Sequence, residues 1–68
     1  MIVQVNGVAR DVADGLTVAE LVAELTDAEA ARGIAVAVDG AVVPRADRGR
    51  VRLAADAKVE IVTAVQGG

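Results

Sequence analysis

Two tight-turn dipeptides, Asn6-Gly7 and Asp39-Gly40, constrain the fold of this chain more than any other feature of its sequence. Each one separates two short runs of residues that are rich in Val, Ile and Ala. A two-residue type I′ turn needs positive φ at both central positions, which Asn, Asp and Gly tolerate. The dipeptides therefore predict two β-hairpins, and we assign them no function beyond turning the chain. The predicted strand pairs are residues 2–6 with 8–12 and residues 34–38 with 41–43.

One amphipathic helix is predicted between the two hairpins. Thr17 and Glu20 have the spacing of a capping box, in which each side chain accepts from the backbone amide of the other residue. Apolar residues then recur at i, i+3, i+4 and i+7 and form a single stripe along the helix. A helix with one apolar stripe has to bury that stripe against another element. The stripe comprises Val18, Leu21, Val22 and Leu25.

The remaining pattern predicts an α+β fold. Residues 34–38 form a continuous apolar run that is typical of a strand buried on both faces, and residues 59–65 read as a last strand. Strands outnumber helices, so the expected architecture is one mixed sheet of four to five strands with the main helix packed across one face. We expect a single domain over residues 1–68, with a flexible C-terminal tail at residues 66–68.

Composition excludes several classes of function. The 68 residues contain no Cys, His, Phe, Tyr or Trp, so we expect no thiolate or imidazole metal site, no catalytic triad and no aromatic platform for bases. A net charge of −3 argues against a nucleic-acid-binding surface. No apolar stretch is long enough to span a membrane, and the first residues do not resemble a signal peptide. The expectation is a cytoplasmic protein that binds no cofactor and is not an enzyme by itself.

The chain ends in Gly67 and Gly68, which is the most informative feature for function. Glycine has no side chain, so two glycines form a thin thread that fits a narrow channel. An α-carboxylate is ionised at neutral pH and can attack the α-phosphate of a nucleotide to give a mixed anhydride. The alternative interpretation is a frayed chain end that happens to be rich in glycine.

The last predicted strand offers a second candidate site. Side chains alternate between the faces of a strand, so Val59, Ile61, Thr63 and Val65 are expected to face the helix. Val62 and Ala64 would then lie on the open face beside the tail. Together with Gln66 they form a candidate docking surface for partner proteins. The alternative is that scattered exposed apolar residues are normal on any protein surface.

A cluster of arginines between the second hairpin and the last strand has two interpretations. It could meet an acidic partner or a phosphate. We favour a solvated edge whose charges balance neighbouring carboxylates. The cluster comprises Arg45, Arg48, Arg50 and Arg52.

In this order of segments the chain resembles the β-grasp, ubiquitin-like sulfur carriers, and most closely the ThiS family of thiamine biosynthesis. The resemblance covers essentially the whole chain, and the terminal Gly-Gly makes it specific. Two local departures occur, because residues 46–48 lack an aromatic residue and residues 54–58 lack the Gly-acidic turn that the family often shows. The segments that carry the resemblance are Asn6-Gly7, residues 15–18, residues 35–40, residues 42–45, residues 59–62 and residues 65–68.

The resemblance implies a carrier cycle centred on Gly68, with Gly67 as the thin approach to it. A ThiF-like adenylyltransferase would use ATP to adenylate the Gly68 carboxylate. A sulfur-donating enzyme would supply the sulfur that converts it to a thiocarboxylate. A ThiG-like thiazole synthase would take that sulfur. The chain would be a co-substrate of these enzymes, with no cofactor or metal of its own.

Four alternatives remain open at the level of sequence. Three of them use the same activated tail: the small subunit of molybdopterin synthase, a carrier for cysteine synthesis, and a ubiquitin-like modifier whose Gly68 is joined to lysines. The chains of the molybdopterin pathway tend to be longer than this one. The fourth alternative is a β-grasp interaction module whose tail is inert.

Overall fold

The computed structural model describes residues 1–63. The expectations placed on Ala64, on Val65 and on the tail at residues 66–68 therefore lie outside the described residues. Eight elements follow in chain order: β1 (Ile2–Val5), β2 (Val8–Asp11), α1 (Val18–Leu25), α2 (Ala28–Ala31), β3 (Ile34–Val38), β4 (Ala41–Val43), a 3₁₀ turn (Arg45–Asp47) and β5 (Lys58–Thr63).

The strands form one mixed five-stranded sheet in the order β2-β1-β5-β3-β4. Strands β1 and β2 pair antiparallel, as do β3 and β4 and also β3 and β5, whereas β1 and β5 run parallel. The predicted α+β architecture is confirmed. The last strand of the chain occupies the centre of the sheet, so its ends are held by both hairpins.

Both predicted turns have the expected backbone. Asn6 and Gly7 have φ values of 50° and 81°, and Asp39 and Gly40 have φ values of 50° and 86°. This left-handed region is open to glycine and is tolerated by Asn and Asp, whose short polar side chains bond locally. The two hairpins therefore form where the sequence predicts them.

Helix α1 begins with the predicted capping box. The Glu20 amide donates to the Thr17 hydroxyl at 3.1 Å, and the Thr17 amide donates to the Glu20 carboxylate at 3.0 Å. Three of the four predicted stripe residues are buried, whereas Leu25 at the end of the helix is 38% exposed. The helix thus covers one face of the sheet. The core comprises Val3, Val12, Leu16, Val18, Leu21, Val22, Val36, Val43, Leu53, Ala57 and Val59.

Strand β3 corrects one expectation. It was expected to be buried on both faces, but Val36 is buried whereas Ala35 on the opposite face is exposed. Alanine is common both inside proteins and on their surfaces, so an alternation of Val with Ala looks uniformly apolar in sequence although only one face is covered. The uncovered face of β3 becomes part of the open face of the sheet.

The arginine cluster also departs from expectation at one member. Arg48 is 8% exposed, and its guanidinium donates to the carbonyl oxygens of Ala31 at 3.2 Å and of Ile34 at 2.7 Å. It ties the 3₁₀ segment to the connection between α2 and β3. The other three side chains are exposed, as a solvated edge requires.

Candidate functional site

The candidate site begins where β5 leads into the C-terminal tail. Strand β5 pairs with β1 on one side and β3 on the other, so its residues 58–63 are part of the ordered sheet. Four predicted site residues, Ala64, Gln66, Gly67 and Gly68, lie outside the described residues. What the structure places is the base from which they extend.

The two faces of β5 differ in the way that the alternation predicts. Val59 is 1% exposed and Ile61 is half-buried, and both lie on the face that α1 covers. Thr63 is exposed although the alternation assigns it to the same face. Val62 is 58% exposed on the open face, which confirms its predicted orientation.

The open face of the sheet has an apolar half next to the end of β5. Strand register brings Ala35 opposite Val62 and Ala37 opposite Val42. Val42 is 74% exposed. The two alanines lie on β3, between Val62 on β5 and Val42 on β4. We call these four residues, Ala35, Ala37, Val42 and Val62, the apolar patch. An exposed apolar surface of this kind suits contact with another protein more than it suits chemistry.

The other half of the open face is polar. The register places Gln4 beside Lys58, and Glu60 follows two residues later on the same face. These side chains line a shallow depression of about 400 Å³ together with the turn residues Asn6 and Gly7.

Among residues 1–63, no three acidic side chains gather as a metal site would need. No helix in this part of the chain is long and apolar enough to cross a membrane.

Strand β5 is held in its second half by a side chain that sequence reasoning assigned only to a turn. The Asn6 carboxamide accepts from the Ile61 amide at 2.8 Å and donates to the Ile61 carbonyl oxygen at 3.0 Å. These bonds join the turn after β1 to β5. The available signal was the choice of Asn at the first turn position, because Asn carries both a donor and an acceptor.

The opposite end of β5 has a related contact from the second hairpin. The Asp39 carboxylate accepts from the Lys58 amide at 3.0 Å, and the Asp39 amide donates to the Lys58 carbonyl oxygen at 2.8 Å. The first residues of the two turns thus bond the same strand, Asp39 at its first residue and Asn6 in its second half.

Comparison with known proteins adds to this geometry. The family model described as "ThiS family" matches residues 3–68. A crystal structure of a thiamine biosynthesis protein (ThiS) from Geobacter metallireducens is similar over 100% of both chains, with 30% sequence identity and a TM-score of 0.86. A sequence search among curated proteins gave no match.

Proposed function

The chain belongs to the ThiS family, and we propose that it is a cytoplasmic sulfur carrier of thiamine biosynthesis. Such a protein moves an atom on its own chain end and leaves the catalysis to its partners. The single observation that carries the proposal is the match of the family model through residue 68, which includes Gly67-Gly68. The β-grasp similarity to a thiamine biosynthesis protein over the full length of both chains supports it.

The first proposed step activates the Gly68 carboxylate. A carboxylate oxygen attacks the α-phosphate of ATP, and pyrophosphate leaves as the acyl-adenylate forms. A free carboxylate is a poor acyl donor, and the adenylate supplies a leaving group. A ThiF-like adenylyltransferase would bind the ATP, so this chain needs no cofactor of its own.

The second step replaces AMP by sulfur. Sulfur at the oxidation level of sulfide, supplied by a sulfur-donating enzyme, attacks the carbonyl carbon of Gly68, and AMP departs to leave a thiocarboxylate. Dividing a difficult transfer into steps through covalent intermediates is the usual logic of nucleophilic catalysis. The thiocarboxylate then presents a nucleophilic sulfur to a ThiG-like thiazole synthase.

The fold suits delivery of a tail into a partner. Strand β5 lies at the centre of the sheet, and five residues separate its described end at Thr63 from the chain end. A fully extended chain of five residues reaches about 17 Å. That reach is sufficient to enter a recessed site while the apolar patch, continued along the chain by Ala64 and Gln66, rests against the partner surface.

Adenylation with matched glycine variants tests the proposal. We expect Gly67→Val to lose most pyrophosphate release with an adenylating partner and ATP, because a β-branched side chain thickens and stiffens the tail. Gly49→Val is the control, since Gly49 is exposed, lacks a left-handed φ and has open space around its Cβ position. One residue added after Gly68 should also abolish loading while the fold is retained.

The same assay separates the alternatives. Normal loading of the extended chain would contradict the role of the Gly68 carboxylate. Adenylation followed by isopeptide bonds to lysines would identify a protein modifier. Acceptance of the thiocarboxylate by a molybdopterin-forming partner in place of a thiazole-forming one would change the pathway and keep the carrier chemistry.

A further inference from the structure

The second half of β5 is held on its β1 side by a substitute for a missing strand residue. Main-chain hydrogen bonds join the segment around β1 to the segment around β5, because the Gln4 amide donates to the Ala57 carbonyl oxygen and the Asn6 amide donates to the Val59 carbonyl oxygen, each at 2.9 Å. The next backbone groups of β5 that face β1 belong to Ile61. The main chain cannot reach them, because it turns away at Gly7.

The Asn6 side chain fills this position. A carboxamide offers one acceptor and two donors, so this one side chain meets both the amide and the carbonyl oxygen of Ile61, which two backbone groups of a longer β1 would otherwise bond. The parallel ladder between β1 and β5 therefore continues for one further step without further main chain. Asn6 also satisfies the turn, because Asn tolerates the left-handed φ of 50° found there.

We propose that Asn6 is a positioning residue for the C-terminal tail. It fixes the backbone of Ile61 on the β1 side, while β3 pairs with Val62 and Thr63 on the other side, so that the end of β5 nearest the tail keeps one direction. This inference rests on the proposed carrier function, because a direction of exit matters only when a partner receives the tail. The side chain acts through Ile61, which it bonds at both the amide and the carbonyl oxygen.

Substitution of Asn6 by Asp or Gly removes one or both of the side-chain hydrogen bonds to Ile61. Asp keeps the turn and the acceptor, but an ionised carboxylate has no donor for the Ile61 carbonyl oxygen. Gly keeps the left-handed φ at no steric cost and removes both bonds. Asn6, Asp and Gly thus form a graded series with two, one and no side-chain bonds to β5.

Asp39 supplies a matched control. It has the same φ of 50°, precedes a glycine in the same kind of turn, and bonds the other end of β5 at Lys58. Asp39→Gly therefore removes a side-chain contact to the same strand at the end away from the tail. Both glycine variants lose a turn side chain, so a general loss of stability would affect them alike.

The first readout is amide hydrogen exchange in the full-length protein alone. Asn6→Gly should increase exchange at Ile61 about tenfold or more and leave Lys58 near the wild-type rate, because exchange reports local opening. Asp39→Gly should show the reverse. Unchanged exchange at Ile61 in Asn6→Gly would overturn the structural part of the inference.

The second readout is steady-state adenylation of the same proteins, at a temperature where far-ultraviolet circular dichroism shows all of them folded. Asn6→Gly should raise KM about fivefold, since ordering one more backbone residue on binding costs about that factor. Its kcat should stay near wild type, because the ordering is complete in the bound complex. The KM of Asn6→Asp should lie between those of the wild type and Asn6→Gly, and the KM of Asp39→Gly should match that of the wild type.

The outcomes separate this inference from the proposed function. If the wild type is loaded and Asn6→Gly has the same KM as the wild type, the positioning role of Asn6 is refuted and the carrier function stands. An equal increase of KM in Asn6→Gly and Asp39→Gly would also refute the positioning role, because the increase would then follow from a general loss of stability. Absence of loading in the wild type would refute both the carrier function and the role of Asn6.

Discussion

At the scale of single residues, Arg48 holds a connection that has little regular structure. The residue is 8% exposed, its guanidinium donates to two carbonyl oxygens, and within residues 1–63 its Nε has no hydrogen-bond partner. Charge-assisted bonds are stronger than neutral ones, but burying a charge carries a desolvation cost. The two effects oppose each other, so the net stabilisation is smaller than two charge-assisted hydrogen bonds alone would give.

We predict that Arg48→Met lowers the free energy of unfolding by about 1–2 kcal/mol, because two carbonyl groups lose a charged donor and only part of the loss is offset. Arg50→Met is the control. Arg50 is 77% exposed and pairs with Asp47 at 3.6 Å, so its replacement should change stability by less than about 0.5 kcal/mol. Urea denaturation followed by circular dichroism measures both. An Arg48→Met protein as stable as the wild type would contradict this account.

Glu20 gives the capping box a pH dependence. The Thr17 backbone amide and then the Thr17 hydroxyl hold the pKa of the Glu20 carboxyl below its ordinary value of 4.5. A lowered pKa in the folded state means that the carboxylate stabilises the fold above the unfolded pKa. That contribution is lost as the pH falls from 4.5 through the lower folded-state value.

The expected result is that Glu20→Gln flattens the loss of stability on the acid side. Gln retains an acceptor oxygen for the Thr17 amide but has no charge to lose. Glu24→Gln serves as the control, because Glu24 lies on the same helix and pairs with Arg10 at 3.8 Å without taking part in the cap. Urea midpoints at about pH 7 and about pH 3 provide the comparison. Equal acid sensitivity in wild type and Glu20→Gln would exclude the proposed linkage.

At the scale of elements, the sequence predicts what local chemistry determines. The turns follow from Asn-Gly and Asp-Gly, and the start of α1 follows from the Thr17 and Glu20 pair. The open face of β3 could not be deduced, because alanine does not report burial and the covering helix lies elsewhere in the chain. The contact of Asn6 with Ile61 depends on residues 55 positions apart, a separation that no local pattern encodes.

The apolar patch leads to a prediction about docking. Val62→Asp and Val42→Asp should each weaken adenylation by raising KM, because a charge in an apolar contact has to be desolvated on binding. Val8→Asp is the control. Val8 is 68% exposed, lies on edge strand β2 and shares the helix-facing side with its partner Val5.

Steady-state kinetics with each folded variant measures the effect. If all three substitutions raise KM equally, the increase is due to the change in net charge and not to the apolar patch. No response to Val62→Asp or Val42→Asp would remove the patch from the docking surface.

At the scale of the whole molecule, the topology determines how the chain end is presented. Strand β5 comes last among the described strands and lies between β1 and β3, so the strand that leads toward the tail has a hairpin on each side. Sequence reasoning found the strands and the helix but not this order, because the parallel pairing of β1 with β5 joins distant segments. The carrier account needs this arrangement, since a partner has to receive the tail from a fixed base.

The central claim is that Gly68 carries sulfur, and mass spectrometry tests it most directly. The untagged protein is isolated from cells growing without thiamine, and its C-terminal fragment is analysed apart from the rest of the chain. This separation matters because oxidation of Met1 adds nearly the same mass as exchange of oxygen for sulfur. We predict a fraction of fragments with one oxygen of Gly68 replaced by sulfur. A C-terminal fragment that is always an unmodified carboxylate under these conditions would contradict the account.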